Sequence, residues 1–446
     1  MVKKARHSED DDEEYVEEEH IQEQQTSSSE STTLILPLKR NRSKSEGDIY
    51  CYKINQRSKN DDYFRKQSRE KQIEILKKED EIYKYNNTDI PLRYKIIDSG
   101  LNISTKLLLI QKIDLFEKMT NNDSEYMKLS KWMYGLSLMP FDKYVHMPIN
   151  ISNTKDEIQK FLLNAFHILE KTIYGQQEAK SKILEILGQW ITNPSSTSQI
   201  IALEGPPGVG KTSLIKNGVS KALIRPFCFY ALGGANDIST LEGHSYTYEG
   251  AHWGKLIEML MESKVMNPII FFDELDKISN TVKGHEIIGL LTHLTDSTQN
   301  SSINDKYFSE INMDFSKTLF FFSYNNIEFI NPILKDRLTI VKFKGYSVED
   351  KIKIVKDFIL PETLLNIGID KNDVVINNNI IEYLILKYTN NEDGVRNIKK
   401  IIETILLKIN LLKLMNNNDS LKLLNYKIQN VKFPLLFTKE LCDMLL

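Results

Sequence analysis

Short apolar runs alternate with amphipathic segments through the middle of the chain. Continuous apolar runs fit strands that are buried on both faces of a sheet, and the segments between them have the spacing of helices. The pattern therefore predicts an α/β fold built on a doubly wound parallel sheet. The predicted strands lie in IIALEG, FCFYALGG, NPIIFFDE, SKTLFFFSYNN and LTIVKF, and the helices between them in TSLIKNGVSKAL, EGAHWGKLIEMLMES and HEIIGLLTHL.

Helical patterns also precede and follow the predicted sheet. A Lys- and Glu-rich segment at 63–85 predicts one long exposed helix, and apolar residues at helical spacing predict a small helical bundle after it. Two more amphipathic helices are predicted at 154–190, on either side of the turn YGQQ. The predicted organisation is a helical region at 61–150, an α/β domain at 151–345 and an all-helical subdomain at 346–446.

The first 60 residues differ from the rest in composition. An acidic block at 9–19 is followed by a Ser- and Thr-rich segment at 24–33 and a basic cluster at 39–44. Such segments bury too little apolar surface to offset the entropy lost on ordering, so 1–60 is predicted to be a disordered tail. The alternative is a charged docking arm or a localisation signal.

Overall charge and cysteine content exclude several classes of protein. The chain has 58 Lys and Arg against 61 Asp and Glu, which gives no basic surface for nucleic acid over the whole protein. Three widely spaced cysteines exclude a disulfide framework and a CxxC zinc site. No apolar run reaches the roughly 18 residues of a membrane span, and the N-terminus is too acidic for a signal peptide. We expect an intracellular, cytoplasmic protein without membrane or nucleic-acid partners.

The segment GPPGVGKT fits the phosphate-binding P-loop pattern, G-x-x-x-x-G-K-[ST], in full. It follows a predicted strand and opens a predicted helix, so its backbone N–H groups and the helix N-terminus can surround phosphates. Lys211 would reach the β- and γ-phosphates, and the Thr212 hydroxyl would coordinate Mg²⁺. The predicted nucleotide-binding residues are Gly205, Pro206, Pro207, Gly208, Val209, Gly210, Lys211 and Thr212.

Polar residues at the ends of two later strands supply candidate chemistry. Asp273 is placed to hold Mg²⁺ through water, and Glu274 to orient and deprotonate a water for attack on the γ-phosphate. Asn325 follows the strand in SKTLFFFSYNN and is placed to bind that water or the γ-phosphate. A solvated acidic turn and an ordinary turn asparagine are the alternatives. On their own, Arg337 and Arg396 fit members of surface ion pairs.

The ordered succession of these motifs resembles the ATPase module of Lon-type AAA+ proteins. The resemblance covers residues 61–446 and is most specific at 165–405. It implies a P-loop AAA+ domain followed by a helical lid. The stretches that carry it are EYMKLSKWMYGLSLMPFDK, YGQQEAKSKILE, GPPGVGKTSL, EGHSYTYEGAHWGK, NPIIFFDELDKI, QNSSINDKYF, INPILKDRL and EDGVRNIKKII.

The resemblance also implies roles for individual residues. Asn325 is similar to the sensor that positions the lytic water, and Arg396 to the lid residue that reads the phosphates. Arg337 is similar to the arginine finger, which acts on a neighbouring subunit's nucleotide and implies a ring, expected to be a homohexamer. Tyr174 and Gly175 stand where the family packs the adenine. ATP and Mg²⁺ are the cofactors expected from the resemblance.

The pore loop and the two ends of the chain depart from the family. Tyr248 is similar to the aromatic residue that grips a polypeptide, but Glu249 stands where an apolar residue is usual. The residues after Lys400 fit the end of the lid, so we expect no Ser–Lys protease domain, and an acidic tail replaces the N-terminal substrate-binding domain. These departures and the abundance of Asn, Ile and Lys are compatible with a large DNA virus or an AT-rich microbe.

We therefore expect a ring-forming ATPase that unfolds or remodels protein without cleaving it. One alternative is a scaffold that binds nucleotide tightly but turns it over slowly, which the divergent pore loop favours. Another is a nucleic-acid remodelling ATPase, which would need a basic pore or an added DNA-binding domain.

Overall fold

The computed structural model describes residues 59–86, 90–120, 123, 125–194, 200–235, 237–414 and 434–446. The chain divides into two compact units, Met1–Tyr85 and Asn86–Leu446. Most of the predicted tail at 1–60 lies outside the described residues. The predicted long helix is instead two helices, Lys59–Lys66 and Arg69–Asn86, because Ser68 accepts a hydrogen bond from the N–H of Lys71 and starts a new helix.

The second unit is built around a five-stranded, wholly parallel sheet, which confirms the predicted fold class. The strands lie in the order β2-β3-β4-β1-β5, so the chain crosses over the sheet between neighbours. The carboxyl ends of all five strands meet at one edge, where open α/β sheets bind ligands. The strands are β1 Ile201–Glu204, β2 Phe227–Ala231, β3 Ile269–Asp273, β4 Leu319–Tyr324 and β5 Thr339–Lys342.

Successive side chains of the central strands pack into two separate hydrophobic cores. On β3, Phe271 packs into one core and Phe272 into the other, and β4 divides Phe321 and Phe322 in the same way. All four side chains are buried, as expected of a sheet covered on both faces. This packing fixes the register of β3 and β4, and it therefore fixes where the polar residues that follow them lie at the carboxyl edge of the sheet.

Helices before the sheet cover both of its faces. Trp132 of a three-helix bundle is fully buried in the core that contains Phe272, and its indole N–H donates to the carbonyl of Tyr307 at 3.2 Å. The next two helices pack on the opposite face, and a Thr154–Glu157 capping box starts the first of them. These five helices are Leu92–Asp98, Ile103–Lys118, Tyr126–Leu138, Lys155–Thr172 and Gln177–Thr192.

Short helices connect the strands of the sheet. The helix that follows the P-loop is continuous from 211 to 223 and contains a π-helical stretch. A two-stranded hairpin, Ile303–Asn304 with Asn312–Met313, precedes β4. The remaining connecting helices are Leu232–Gly234, Ser239–Glu242, Lys255–Ser263, Leu275–Lys277, Val282–Leu294, Ile327–Phe329 and Pro332–Lys335.

A C-terminal subdomain with its own core follows the sheet; it is the predicted lid and keeps that name. The prediction that it is all-helical is wrong, because it also contains a short parallel strand pair, Val374–Val375 with Leu435–Leu436, whose members lie too far apart in sequence for local periodicity to indicate. Among the described residues, no helix is long and apolar enough to cross a membrane. The lid helices are Val348–Ile354, Val355–Ile359, Leu360–Ile367, Lys371–Asp373, Asn378–Tyr388, Arg396–Leu414 and Lys439–Leu445.

Candidate functional site

The predicted P-loop connects β1 to the helix that begins at Lys211. Gly208 and Gly210 have φ angles of 80° and 94°, which L side chains rarely adopt. A side chain on Gly208 would also press on the backbone of Arg396, and one on Gly210 on Ile173. The glycines therefore allow a tight loop that the lid and the preceding helix approach closely.

Lys211 is buried beneath this loop and is surrounded by acceptors. Its Nζ donates to Asn325 Oδ1 at 2.8 Å, to the carbonyl of Tyr324 at 3.2 Å and to the carbonyl of Gly205. Burial lowers the pKa of Lys211 to about 8, and the charges of Asp273 and Asp276 oppose that shift. The structure thus brings Lys211 and Asn325, predicted from separate motifs, into direct contact.

Asp273 and Glu274 follow β3 at the same edge. Asp273 Oδ1 accepts hydrogen bonds from the hydroxyl of Ser323 on β4 and from the N–H of Glu274 at 2.9 Å. Glu274 has a φ of 59°, so the chain turns sharply there and the two carboxylates are directed differently. The Glu274 carboxylate lies against Gly233, where an added Cβ would collide with it.

Asp276 is a third carboxylate in this region, and it was not among the residues predicted from the sequence motifs. Its side chain is 8% exposed, and Oδ2 accepts from the N–H groups of Asn325 and Asn326, both at 3.2 Å. Oδ1 has no hydrogen-bond partner among the described residues. Asp276 therefore fixes the backbone that presents the Asn325 amide to Lys211. The sequence signal was the third acidic residue of DELDK, and in sequence alone this segment resembles any solvated turn.

The lid meets the P-loop at the start of its longest helix. The N–H of Val395 donates to the carbonyl of Gly208 at 3.1 Å, and Gly394 packs so closely on Pro207 that a side chain there would collide with its carbonyl. This places Arg396, the first residue of the helix Arg396–Leu414, beside the loop with its side chain exposed. A cavity of about 280 Å³ lies between the lid and the P-loop.

Tyr174 lines this cavity, and Gly175, which follows it in a turn, lines a second cavity together with Tyr174. The hydroxyl of Tyr346 lies 3.0 Å from the carbonyl of Val209 and 3.2 Å from that of Tyr174, and its ring also lines the cavity. Burial raises the pKa of Tyr346 above its ordinary value, so its hydroxyl keeps its proton and can donate well above neutral pH. Sequence reasoning missed Tyr346, whose only signal was its place at the junction with the lid.

Arg337 follows the short helix Pro332–Lys335 and pairs with Asp296 of its own chain at 2.9 Å. None of the contacts recorded for Arg337 among the described residues involves the P-loop of the same chain. Among the described residues, the structure of one chain therefore does not bring Arg337 into contact with Lys211.

The predicted pore loop lies just before the helix Lys255–Ser263. Tyr248 at its tip is 69% exposed, and Glu249 beside it is also exposed. Both sides of the loop are tied to the bundle helix Tyr126–Leu138, because the Nζ atoms of Lys128 and Lys131 donate to main-chain carbonyls of the loop. The two lysines therefore attach the loop to this helix on both sides of the exposed Tyr248.

Comparison with known proteins agrees with this geometry. Residues 201–346 match the model of the AAA family, the ATPase family associated with various cellular activities. The match covers all five strands of the sheet and the predicted P-loop. The chain therefore contains an AAA ATPase module, for which ATP is the family ligand.

Similar proteins define the module further as Lon-type. The chain is 37% identical over 324 residues to a Lon protease homolog of Acanthamoeba polyphaga mimivirus, which covers 71% of this chain and 31% of the relative. It is 37% identical over 252 residues to the Lon protease of Lawsonia intracellularis, and this match covers 56% of this chain and 30% of the relative. It is 30% identical over 344 residues to the mitochondrial Lon protease homolog of Drosophila melanogaster, and this match covers 77% of this chain and 32% of the relative. The chain thus carries a Lon-type AAA+ module and spans about a third of the length of these relatives.

Proposed function

We propose that this chain binds ATP with Mg²⁺ at its P-loop, hydrolyses the ATP and uses the energy to remodel protein. The observation that carries the proposal is the contact of Lys211 with Asn325, at 2.8 Å, beneath a glycine loop and beside the carboxylates that follow β3. Residues from three strands of the sheet converge there, as phosphate transfer to water requires.

Lys211 supplies positive charge to the β- and γ-phosphates. Its ammonium donates to the carbonyls of Gly205 and Tyr324 and to Asn325, and phosphate oxygens would replace these partners. The Asn325 amide, released from Lys211, would then bind the attacking water. Glu274 is the general base that orients this water and accepts its proton.

The residues near the P-loop fit a magnesium ion. Thr212 and Asp273 provide a hydroxyl and a carboxylate, and hard oxygen ligands of this kind suit Mg²⁺, which is usually held by few protein groups together with phosphates. The Asp273 carboxylate is already oriented by Ser323 and by the N–H of Glu274. Bound Mg²⁺ would neutralise charge that develops on the phosphates.

A second group of residues would bind the adenine and connect the nucleotide to the lid. Tyr174 lines the cavity of about 280 Å³ between the P-loop and the lid, and together with the adjacent Gly175 it would pack the base there. Arg396 lies next to Gly208 at the start of the lid helix Arg396–Leu414. From there its side chain would contact the phosphates, so that the position of the lid would depend on the bound nucleotide. The proposed domain organisation is the predicted one, with the lid at 346–446.

Arg337 supports the assembly of the chain into a ring, which we propose to be a homohexamer. Its side chain pairs with Asp296 and not with the P-loop of its own chain, and we propose that it completes the site of a neighbouring subunit as an arginine finger. Residues Phe329 and Ile333, close to it in sequence, are apolar and 69% and 62% exposed, which suits an interface between subunits.

The pore loop supports a polypeptide as the substrate. Tyr248 is an exposed aromatic residue on an anchored loop, and it would contact an unfolded chain directly. Glu249 would favour segments with positive charge beside the gripped residue. Peptide-bond cleavage forms no part of the proposed activity of the described residues.

The test is ATP turnover by the purified chain and by Glu274→Gln, with and without an unfolded polypeptide whose integrity is followed on a gel. We expect turnover that depends on Glu274 and rises with polypeptide, which stays intact. Tight nucleotide binding without Glu274-dependent turnover would support a nucleotide-clasped scaffold instead. Stimulation by DNA rather than by polypeptide would support a nucleic-acid remodelling ATPase.

A further inference from the structure

The guanidinium of Arg337 is held by a carboxylate of its own chain. Nη1 lies 2.9 Å from Oδ2 of Asp296, and this is the one ion pair recorded for Arg337 within the described residues. The two side chains are 32% and 17% exposed, so the pair is partly shielded from solvent. A charge-assisted contact of this kind restricts the direction of the guanidinium before any ligand arrives.

Asp296 does not depend on Arg337 for its own orientation. Its Oδ1 accepts from the N–H of Thr298 at 2.9 Å and from the Thr298 hydroxyl at 2.6 Å. Its Oδ2 also accepts from the side-chain amide of Gln299 at 3.0 Å. The main-chain carbonyl of Asp296 accepts from the N–H of Asn300 at 2.8 Å, which closes the turn. The carboxylate is therefore a fixed acceptor, and the arginine adapts to it.

The contact uses one nitrogen of the guanidinium. An arginine side chain has five N–H donors in a rigid planar fork, so most of them remain available for a phosphate when one is held by Asp296. A partly exposed ion pair contributes little to the free energy of unfolding. Its main consequence is thus to orient the fork rather than to stabilise the fold.

We propose that Asp296 is a positioning residue for Arg337, which it aligns towards the nucleotide of a neighbouring subunit. This inference rests on the proposed function of Arg337 as an arginine finger. Because the contribution of a preorganised charge depends steeply on its position, the loss of this alignment would slow hydrolysis without removing any group that touches ATP.

The first test is Asp296→Asn in the full chain. The amide keeps the oxygen that faces Thr298, but it presents N–H donors where Arg337 and the side-chain amide of Gln299 need an acceptor. We expect ATP turnover to fall about 10- to 100-fold, while binding of a fluorescent ADP analogue and the unfolding temperature stay at wild-type values. The matched control is Asp237→Asn, since Asp237 also closes a turn, with Ser239, and pairs with Lys283 at 2.9 Å; its turnover should be unchanged.

The second test asks whether the defect acts on another subunit. Asp296→Asn chains are mixed with Glu274→Gln chains, which have an intact Asp296 and Arg337 but no turnover of their own. We expect the mixture to exceed the sum of its components, because each Glu274→Gln chain offers an aligned Arg337 to its neighbour. The double variant Asp296→Asn, Glu274→Gln should give no rescue. If Asp296→Asn only damages the structure of its own chain, ATP turnover should not exceed the sum of the components in either mixture.

The outcomes separate this inference from the proposed function. If Arg337→Ala abolishes turnover and Asp296→Asn leaves it at the wild-type rate, the positioning role of Asp296 is overturned and the role of Arg337 stands. A faster Asp296→Asn enzyme would also overturn it, because the pair would then restrain Arg337. Wild-type turnover in Arg337→Ala would remove both the proposed finger and the role of Asp296.

Discussion

Gly233 and Glu274 are in direct contact, and the carboxylate of Glu274 occupies the space that a side chain on Gly233 would need. Gly233 belongs to the short helix Leu232–Gly234 that follows β2, and Glu274 follows the neighbouring strand β3. The position of the proposed general base is therefore set by the absence of a side chain on the adjacent strand connection. Nothing in the local sequence around Glu274 contains this information.

Gly233→Ala should slow hydrolysis without unfolding the protein. The added methyl group would push away the end of the Glu274 side chain, which is flexible, so the cost in folding free energy is small. A displacement of about 1 Å in a catalytic group can reduce turnover by about 100-fold. The measurement is steady-state ATP turnover together with nucleotide affinity, which should not change.

Gly234→Ala is the control for this substitution. An added Cβ at Gly234 would meet no atom within 4 Å, although the residue lies in the same helical turn. The two variants therefore share any effect of alanine on the backbone and differ in the contact with Glu274. Equal turnover in both would show that the placement of Glu274 against Gly233 has no catalytic consequence.

Tyr346→Phe should weaken nucleotide binding more than it slows turnover. The variant keeps the ring that lines the cavity but removes the hydroxyl that reaches the carbonyls of Val209 and Tyr174. Loss of one such hydrogen bond costs about 1 kcal/mol, about fivefold in affinity. We expect KM for ATP to rise by that factor with kcat little changed. Tyr388→Phe, which removes a lid hydroxyl bonded to Asp443, is the control; an equal effect of both would exclude a local role for Tyr346.

The parts of the fold that the sequence predicted depend on local pattern. The apolar runs of β3 and β4 are buried on both faces, so composition alone indicated strands, and GPPGVGKT carries its loop geometry in its glycines. The strand pair of the lid joins residues about 374 and 435, too far apart for periodicity to reveal.

The site residues that were missed act through tertiary contacts. Asp276 orients Asn325 from the neighbouring strand connection, and Tyr346 joins the P-loop to the turn at Tyr174. Asp296 reaches Arg337 only after the chain has folded back through β4. Each is an ordinary polar residue in sequence, because its role depends on a partner that lies far away along the chain.

Asp305 should make the stability of the protein depend on pH. Its carboxylate accepts from the N–H groups of Gly254, Tyr307 and Phe308, and burial raises its pKa to about 6 despite these bonds. Because the folded state holds this proton more tightly than the unfolded state, the contribution of Asp305 to stability is present in acid. It is lost as the pH rises through about 6.

The check is chemical unfolding of the wild type and of Asp305→Asn between pH 4.5 and 7.5. Over the lower part of this range, the free energy of unfolding of the wild type should fall relative to the variant by up to about 1.4 kcal/mol per pH unit. The difference should level off above pH 6, where Asp305 is ionised in both states. A difference that stays constant with pH would show that Asp305 does not titrate in this range.

Lys128→Met with Lys131→Met should reduce the response to polypeptide and leave basal turnover unchanged. The Nζ of Lys128 donates to the carbonyl of Thr247 at 3.1 Å, and that of Lys131 donates to the carbonyl of Ala251, so the two lysines hold the loop on either side of Tyr248. Methionine keeps the aliphatic length of the side chain and removes the donor. A loop released from this base would transmit less force to a gripped chain.

Lys106→Met provides the matched control, because Lys106 also donates to a main-chain carbonyl, that of Ile97, but within the helical bundle itself. The measurement is ATP turnover over a range of unfolded polypeptide concentrations for the double variant and the control. We expect the increase in turnover at saturating polypeptide to be smaller in the double variant alone. If both variants respond as the wild type does, the attachment of the loop to the helix Tyr126–Leu138 has no part in substrate handling, and Tyr248 acts independently of the bundle.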